Sequence, residues 1–108
     1  MNLDNPDQWS RVDQYFTDLL IPADPTLEAA LPASATAGLP PHNVSPAQGK
    51  LLQVLVQMQG AQRVLEIGTL GGYSAIWMAR ALPADGCLVT LEANAQYAAI
   101  ARDNIQRA

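Results

Sequence analysis

The sequence is poor in the residues that bind polyanions, cross-link chains or cross membranes. Six lysines and arginines stand against ten aspartates and glutamates, giving a formal net charge of -4 and an isoelectric point of about 4.6. With no basic surface to neutralise phosphates, no nucleic-acid partner is expected, and a small molecule or another protein chain is. The single cysteine, Cys87, excludes an internal disulfide and has no companions at metal-ligand spacing, which fits a reducing cytoplasm. Cys87 itself reads as a small apolar residue that starts a strand. The one histidine, His42, lies in a Pro-rich stretch with no nucleophile or second ligand near it in sequence, and reads as a solvated loop residue. No run approaches bilayer length, and "MNLDNPDQWS" has no basic segment followed by an apolar one, so a cytoplasmic protein with no membrane partner is expected. At 108 residues there is room for one small domain, short for an α/β enzyme.

Prolines, glycines and capping residues divide the chain. Asn5, Pro6 and Gln8 have the spacing of an N-cap, a first helical residue and a capping-box partner, and Trp9, Val12, Phe16, Leu19 and Leu20 follow on one helix face. Asp24 and Pro25 start a shorter helix that is expected to end at Pro32 or soon after. Residues 33–44, with Gly38, Pro40 and Pro41, read as a loop. Ser45, Pro46 and Gln48 start a third helix, with Leu51, Leu52, Leu55 and Met58 in one stripe and Gly60 as its stop. Residues 1–44 and 45–108 thus form two sections.

The second section turns to α/β patterning. Residues 63–67 and 87–91 are short, nearly continuous apolar runs, the pattern of strands buried on both faces of a parallel sheet. A helix over residues 73–82 separates them, ended by Pro83, Asp85 and Gly86. Asn94 caps a last helix in which Ala98, Ala101, Ile105 and Ala108 align. The order strand, helix, strand, helix implies a right-handed parallel crossover. The last helix reaches Ala108 without a stop signal and two parallel strands cannot cover themselves, so the chain reads as cut off within a larger fold. Trp9, Phe16, Trp77 and Tyr97 lie among apolar residues and are expected to pack in a core or interface. Asp24, Asp85 and Asp103 have capping, turn and helix-surface explanations.

The chemistry concentrates in "VLEIGTLGGYS", residues 64–74. In an open α/β sheet, ligands sit beyond the carboxyl ends of the strands. Glu66 ends the first strand, Gly68 and Gly72 let backbone approach a ligand, and Ser74 opens the next helix, either as its cap or as a ligand contact. Glu92, at the tip of the second strand, can accept hydrogen bonds from both hydroxyls of a ribose. A dinucleotide fingerprint would read G-x-G-x-x-G, but Glu66 replaces its first glycine. A carboxylate there repels a pyrophosphate and suits an ammonium or sulfonium group. E-x-G-x-x-x-G with an acid at the next strand tip therefore favours S-adenosylmethionine over NAD.

The stretch from Val64 to Ala108, with "LEIGTLGGYS" and the later "TLE", resembles the cofactor-binding half of the bacterial S-adenosylmethionine-dependent O-methyltransferases of the catechol and caffeoyl-CoA type. "GLPPHNVSPAQGKLLQVLVQMQGAQ" resembles the lead-in helix of that family. The resemblance implies a Rossmann-like class I methyltransferase fold of α/β class, present as its N-terminal part, with residues 45–108 as the first half of the cofactor domain. It implies cofactor contacts from Val44, Glu66, Gly68, Thr69, Ser74 and Glu92: Glu66, Gly68 and Thr69 along the methionine portion, Ser74 on its carboxylate, and Glu92 on the ribose. Tyr73 is expected to pack on the site. The family's divalent, magnesium-like metal is held by an aspartate and an Asp-Asn pair after later strands, where a lysine assists deprotonation. No metal ligand or catalytic residue is therefore expected in these 108 residues. The implied acceptor is a small molecule bearing a hydroxyl, and a homodimer or self-associating chain is expected from the uncovered strand edge. Two other readings remain: a non-catalytic module that binds a nucleoside or completes another chain's sheet, and an NAD-dependent oxidoreductase on the shared architecture.

Overall fold

The computed structural model describes residues 5–108, so residues 1–4 of the first section lie outside the described residues. The elements run α1 (Pro6–Leu20), α2 (Pro25–Thr36), α3 (Pro46–Met58), β1 (Arg63–Ile67), α4 (Tyr73–Ala79), β2 (Cys87–Leu91) and α5 (Ala95–Arg107). β1 and β2 pair in parallel, with Glu66 opposite Thr90 and Ile67 opposite Leu91. All four longer helices start on a side-chain cap: Asn5, Asp24, Ser45 and Asn94 each accept a backbone N–H of the first turn. Ser45 and Gln48 close the capping box expected of them. Asn5 instead accepts from Asp7, and the box expected with Gln8 does not form.

Several element expectations need correction. α2 runs past Pro32 to Thr36, so residues 33–36, expected as loop, are helix and the loop begins afterwards. Proline removes one N–H and crowds one carbonyl, which a short helix tolerates when the chain beyond favours helix, as Ala33 and Ala35 do. α4 is shorter than expected, ending at Ala79, and residues 81 and 82 close it with tighter i→i−3 bonds to Met78 and Ala79. The strands are not buried on both faces. Val64, Glu66, Leu88 and Thr90 are half-buried, whereas Leu65, Ile67, Val89, Leu91 and Cys87 are exposed, because α4 packs on one face of the pair and none of the described elements covers the other.

The core lies between helices and the covered sheet face. Leu27 and Ala30 of α2 cluster with Tyr73, Ile76 and Trp77 of α4, and Ile21, Leu31 and Val44 pack against them. α3 joins by bringing Gly49 under Trp77, where a Cβ would overlap the indole ring. Its buried residues are therefore Gly49 and Val56, and the expected stripe is displaced: Leu51, Leu55 and Met58 are exposed. α5 turns Ala101 and Asn104 inward, while Ile105 and Ala108 of its expected stripe lie outside. α1 buries no residue, so Trp9 and Phe16, expected to pack, are exposed, and Trp77 alone of the three is in the core.

Candidate functional site

Both strands deliver a carboxylate to the same end of the sheet. Glu66 is the penultimate residue of β1 and Glu92 follows directly on β2. Between β1 and α4 the chain turns through three left-handed residues, Gly68 (φ 91°), Leu70 (φ 52°) and Gly72 (φ 84°). Glycine adopts that backbone without steric cost, but a leucine there costs about 1–2 kcal/mol. Leu70 is held by its N–H, which donates to Glu92 Oε2 at 2.9 Å. The other oxygen of Glu92 accepts the Asn94 N–H, also at 2.9 Å. These backbone donors, Asn94 first and Leu70 second, hold the Glu92 carboxyl below its ordinary value.

Glu66 is held by hydroxyls. Its Oε2 accepts from Ser74 Oγ at 2.5 Å and its Oε1 from Thr90 Oγ1 at 2.7 Å. Thr90 Oγ1 also lies 2.5 Å from Thr69 Oγ1. An ionised carboxylate only accepts, so the Thr90 proton points at Glu66 and the Thr69 proton at Thr90. The Ser74 proton is likewise committed to Glu66, and Ser74 and Thr69 face any ligand with oxygen lone pairs. Ser74 does not cap its helix: Gly72 occupies the N-cap and Ser74 is the second helical residue.

A cavity of about 460 Å³ opens at this end of the sheet. Val44, Glu66, Gly68, Thr69 and Ser74 all line it, with Tyr73 beside them and Leu31, Leu39, Leu52 and Met78 as apolar wall. Glu92 lines a second, neighbouring cavity of about 330 Å³ with Thr90, Arg102 and Ile105, and Thr69 belongs to both. The structure thus brings five of the six singled-out residues to one cavity and the sixth to its neighbour. Tyr73 is buried, and that desolvation pushes its phenol above the ordinary value. His42 is exposed in its loop, as expected, but also contributes to the wall of the larger cavity. Asp24 caps α2 and pairs with Arg80 of α4; the Leu27 N–H and the Arg80 guanidinium hold its carboxyl below the ordinary value. Among the described residues no three or more His, Cys, Asp or Glu side chains gather where they could hold a metal ion.

Three contributors escaped sequence reasoning. Thr90 was findable as the cross-strand partner of Glu66, once the register is known. Asn104 is a polar residue three positions beyond Ala101 on the inward stripe of α5, which is the signature of a buried hydrogen bond. Nothing in a leucine's type marks Leu70 for a left-handed backbone.

Comparison with known proteins bears on the same elements. The O-methyltransferase family model matches residues 23–108. A catechol O-methyltransferase from Niastella koreensis is 55% identical over 97 residues, which are 90% of this chain and 44% of that protein. A catechol O-methyltransferase from Mycobacterium tuberculosis is 47% identical over 108 residues, all of this chain and 49% of that protein. The crystal structure of an O-methyltransferase from Bacillus cereus in complex with SAH superimposes with a TM-score of 0.91 at 60% identity, covering 94% of this chain and 46% of the other. The chain spans about half the length of the curated relatives it matches.

Proposed function

The chain belongs to the O-methyltransferase family, and from that premise we propose that it supplies the methyl-donor site of an enzyme that moves a methyl group from S-adenosylmethionine to a hydroxyl of a catechol-like or other small acceptor. One observation carries the reading. Glu66 stands where a dinucleotide fingerprint has its first glycine, and its carboxylate lines the cavity together with Gly68, Thr69 and Ser74. A negative charge there favours a cationic ligand over a pyrophosphate. That relatives of this fold have been crystallised with SAM or SAH supports the same choice.

In this reading Glu66 meets the amino group of the donor, Gly68 and Thr69 border its methionine portion, and Val44 contributes apolar surface from the loop before α3. Glu92 keeps lone pairs free beyond its two backbone bonds and takes the ribose hydroxyls. Ser74 can donate to the methionine carboxylate only by leaving Glu66, so an incoming ammonium replaces the hydroxyl that turns away. The division into lead-in residues 1–44 and a cofactor section 45–108, a cytoplasmic location and a homodimeric assembly belong to the same proposal.

Methyl transfer breaks the sulfonium carbon–sulfur bond as the acceptor oxygen forms its bond to the same carbon, and the acceptor's hydroxyl proton must leave. The described residues gather no donor set for the divalent metal that the family resemblance implies. What these residues do is bind and orient the donor. Isothermal titration of the full-length gene product tests the proposal: micromolar or tighter binding of S-adenosylhomocysteine is expected, with none for NADH. Preference for NADH, or binding of neither, would overturn it.

A further inference from the structure

Asn104 is the most completely buried large polar side chain among the described residues, at 1% exposure, and it lies on α5, far along the chain from the glycine turn. Its Nδ2 donates to the Gly71 carbonyl at 2.8 Å and to Ser34 Oγ at 3.3 Å, while its Oδ1 accepts from the Arg107 guanidinium. The Ala30 carbonyl lies at 3.5 Å from the same nitrogen, so both amide hydrogens have acceptors and the Gly71 carbonyl is the nearest of them. Ser34, on α2, donates its own hydroxyl to the Ala30 carbonyl at 2.7 Å. The approach is close as well as polar. A Cβ on Gly71 would overlap Ser34 Oγ and lie 3.1 Å from Ser34 Cβ.

The turn is therefore tied at two successive residues from two sides. The Leu70 N–H is held by Glu92, and the Gly71 carbonyl by Asn104. An apolar side chain of similar size would fill the same space, but it could not fix the direction of the Gly71 carbonyl, which a fully satisfied buried network does. That carbonyl sits between Leu70, strained into a left-handed backbone, and Gly72, the N-cap of α4.

We propose that Asn104, backed by Ser34, is a positioning residue for the donor site: it holds the Gly71 peptide so that residues 68–72 present Thr69 and the Leu70–Glu92 pair to the ligand. This rests on the cofactor reading above. It also makes α2 and α5, neither of which lends a singled-out contact residue, part of what sets donor affinity.

The test measures the dissociation constant for S-adenosylhomocysteine on the full-length gene product, at a temperature where circular dichroism shows each variant folded. Asn104→Asp keeps the shape but replaces the donor with an acceptor facing the Gly71 carbonyl. It is expected to weaken binding about tenfold or more. Val56→Ala, a core truncation in α3 outside the cavities, is the control: it lowers the melting temperature but leaves the constant within about twofold, whereas a merely structural Asn104 would behave like it. Equal affinity in Asn104→Asp and the unsubstituted protein overturns the proposal. If Asn104→Asp does not fold, Asn104→Leu decides: it keeps an apolar side chain of similar size but no donor for the Gly71 carbonyl, and is expected to weaken binding about tenfold. Affinity within about twofold of the unsubstituted protein overturns the proposal. Absence of binding by the unsubstituted protein is a different result, which defeats the cofactor reading and this proposal with it.

Discussion

Glu66 and Glu92 are both carboxylates at strand tips, yet their partners give them different tasks. Glu66 is satisfied by two hydroxyls that can rotate away, so its charge is available to a cationic ligand. Glu66→Gln keeps size and some hydrogen bonding but removes that charge. A charge-assisted bond is worth about 1.5–3 kcal/mol, so titration is expected to show S-adenosylhomocysteine binding weakened about 10- to 100-fold. Unchanged affinity would remove Glu66 from the site. Glu92 is held by rigid backbone N–H groups, and its lowered pKa has a consequence for pH. A depressed carboxyl contributes stability that is complete above the ordinary value of 4.5 and lost as pH falls through the lowered one. Thermal midpoints are therefore expected to fall more steeply below about pH 4.5 in the unsubstituted protein than in Glu92→Gln. Asp24 titrates in the same direction in both proteins, so the difference between the two curves belongs to Glu92. Parallel curves would show that the Leu70 and Asn94 bonds contribute nothing. Both glutamates were legible in the sequence as acids that end apolar runs, Glu66 before a glycine turn and Glu92 before the Asn94 cap. Thr90 was not, since it reaches Glu66 only through strand register, nor was the Leu70 N–H on Glu92; Asn104, which bonds Gly71 rather than either glutamate, gets there only through helix packing.

Helix starts were read correctly where a cap and a proline coincide, because both act within one turn of chain. Inward faces were read less well, because they depend on the neighbour. Gly49 faces Trp77 since a ring needs the space of a missing side chain, and that contact rotates α3 away from its leucine stripe. The loop expected from residue 33 starts later for a similar reason: the local cost of Pro32 is real, but α2 is docked through Leu27 and Ala30 and ends at Thr36, after which the Gly38 N–H bonds to Ala35 and that of Leu39 reaches Ser34. Pro32→Ala restores the missing bond to the Glu28 carbonyl at an exposed position, and equilibrium urea unfolding is expected to show a gain of about 1–3 kcal/mol. No gain would mean that the proline lies without strain where it is. At the opposite end of the scale, Gly72→Ala combines a left-handed backbone with a Cβ only 3.2 Å from Ile105 Cγ1. A loss of about 1–2 kcal/mol in the same measurement is expected, and a neutral result would place the turn's rigidity elsewhere.

Across the whole molecule the helices that pack on the sheet leave its other face open. Leu65, Ile67, Val89 and Leu91 stand side by side on that face by strand register, 48–82% exposed, and the Trp9, Phe16 and Leu20 side of α1 adds a second apolar surface. The apolar runs were legible as strands of a parallel sheet, but the burial of both faces expected of them is met on one face only among the described residues. Parallel strands are stable where both faces are packed, and contiguous exposed apolar patches drive association. The 108-residue polypeptide, made alone, is therefore expected to show a sedimentation-average mass that rises with concentration. The source can be separated from α1: Ile67 and Val89 sit on the open face away from the Glu66 and Thr90 side chains, so the double variant Ile67→Lys/Val89→Lys charges it without touching the carboxylate network. If the sheet face is what associates, that variant sediments as a monomer, whereas Trp9→Lys leaves the concentration dependence in place. A polypeptide that is monomeric at every concentration would instead show that 49% hydrophobic residues and an open parallel pair are compatible with a self-sufficient surface.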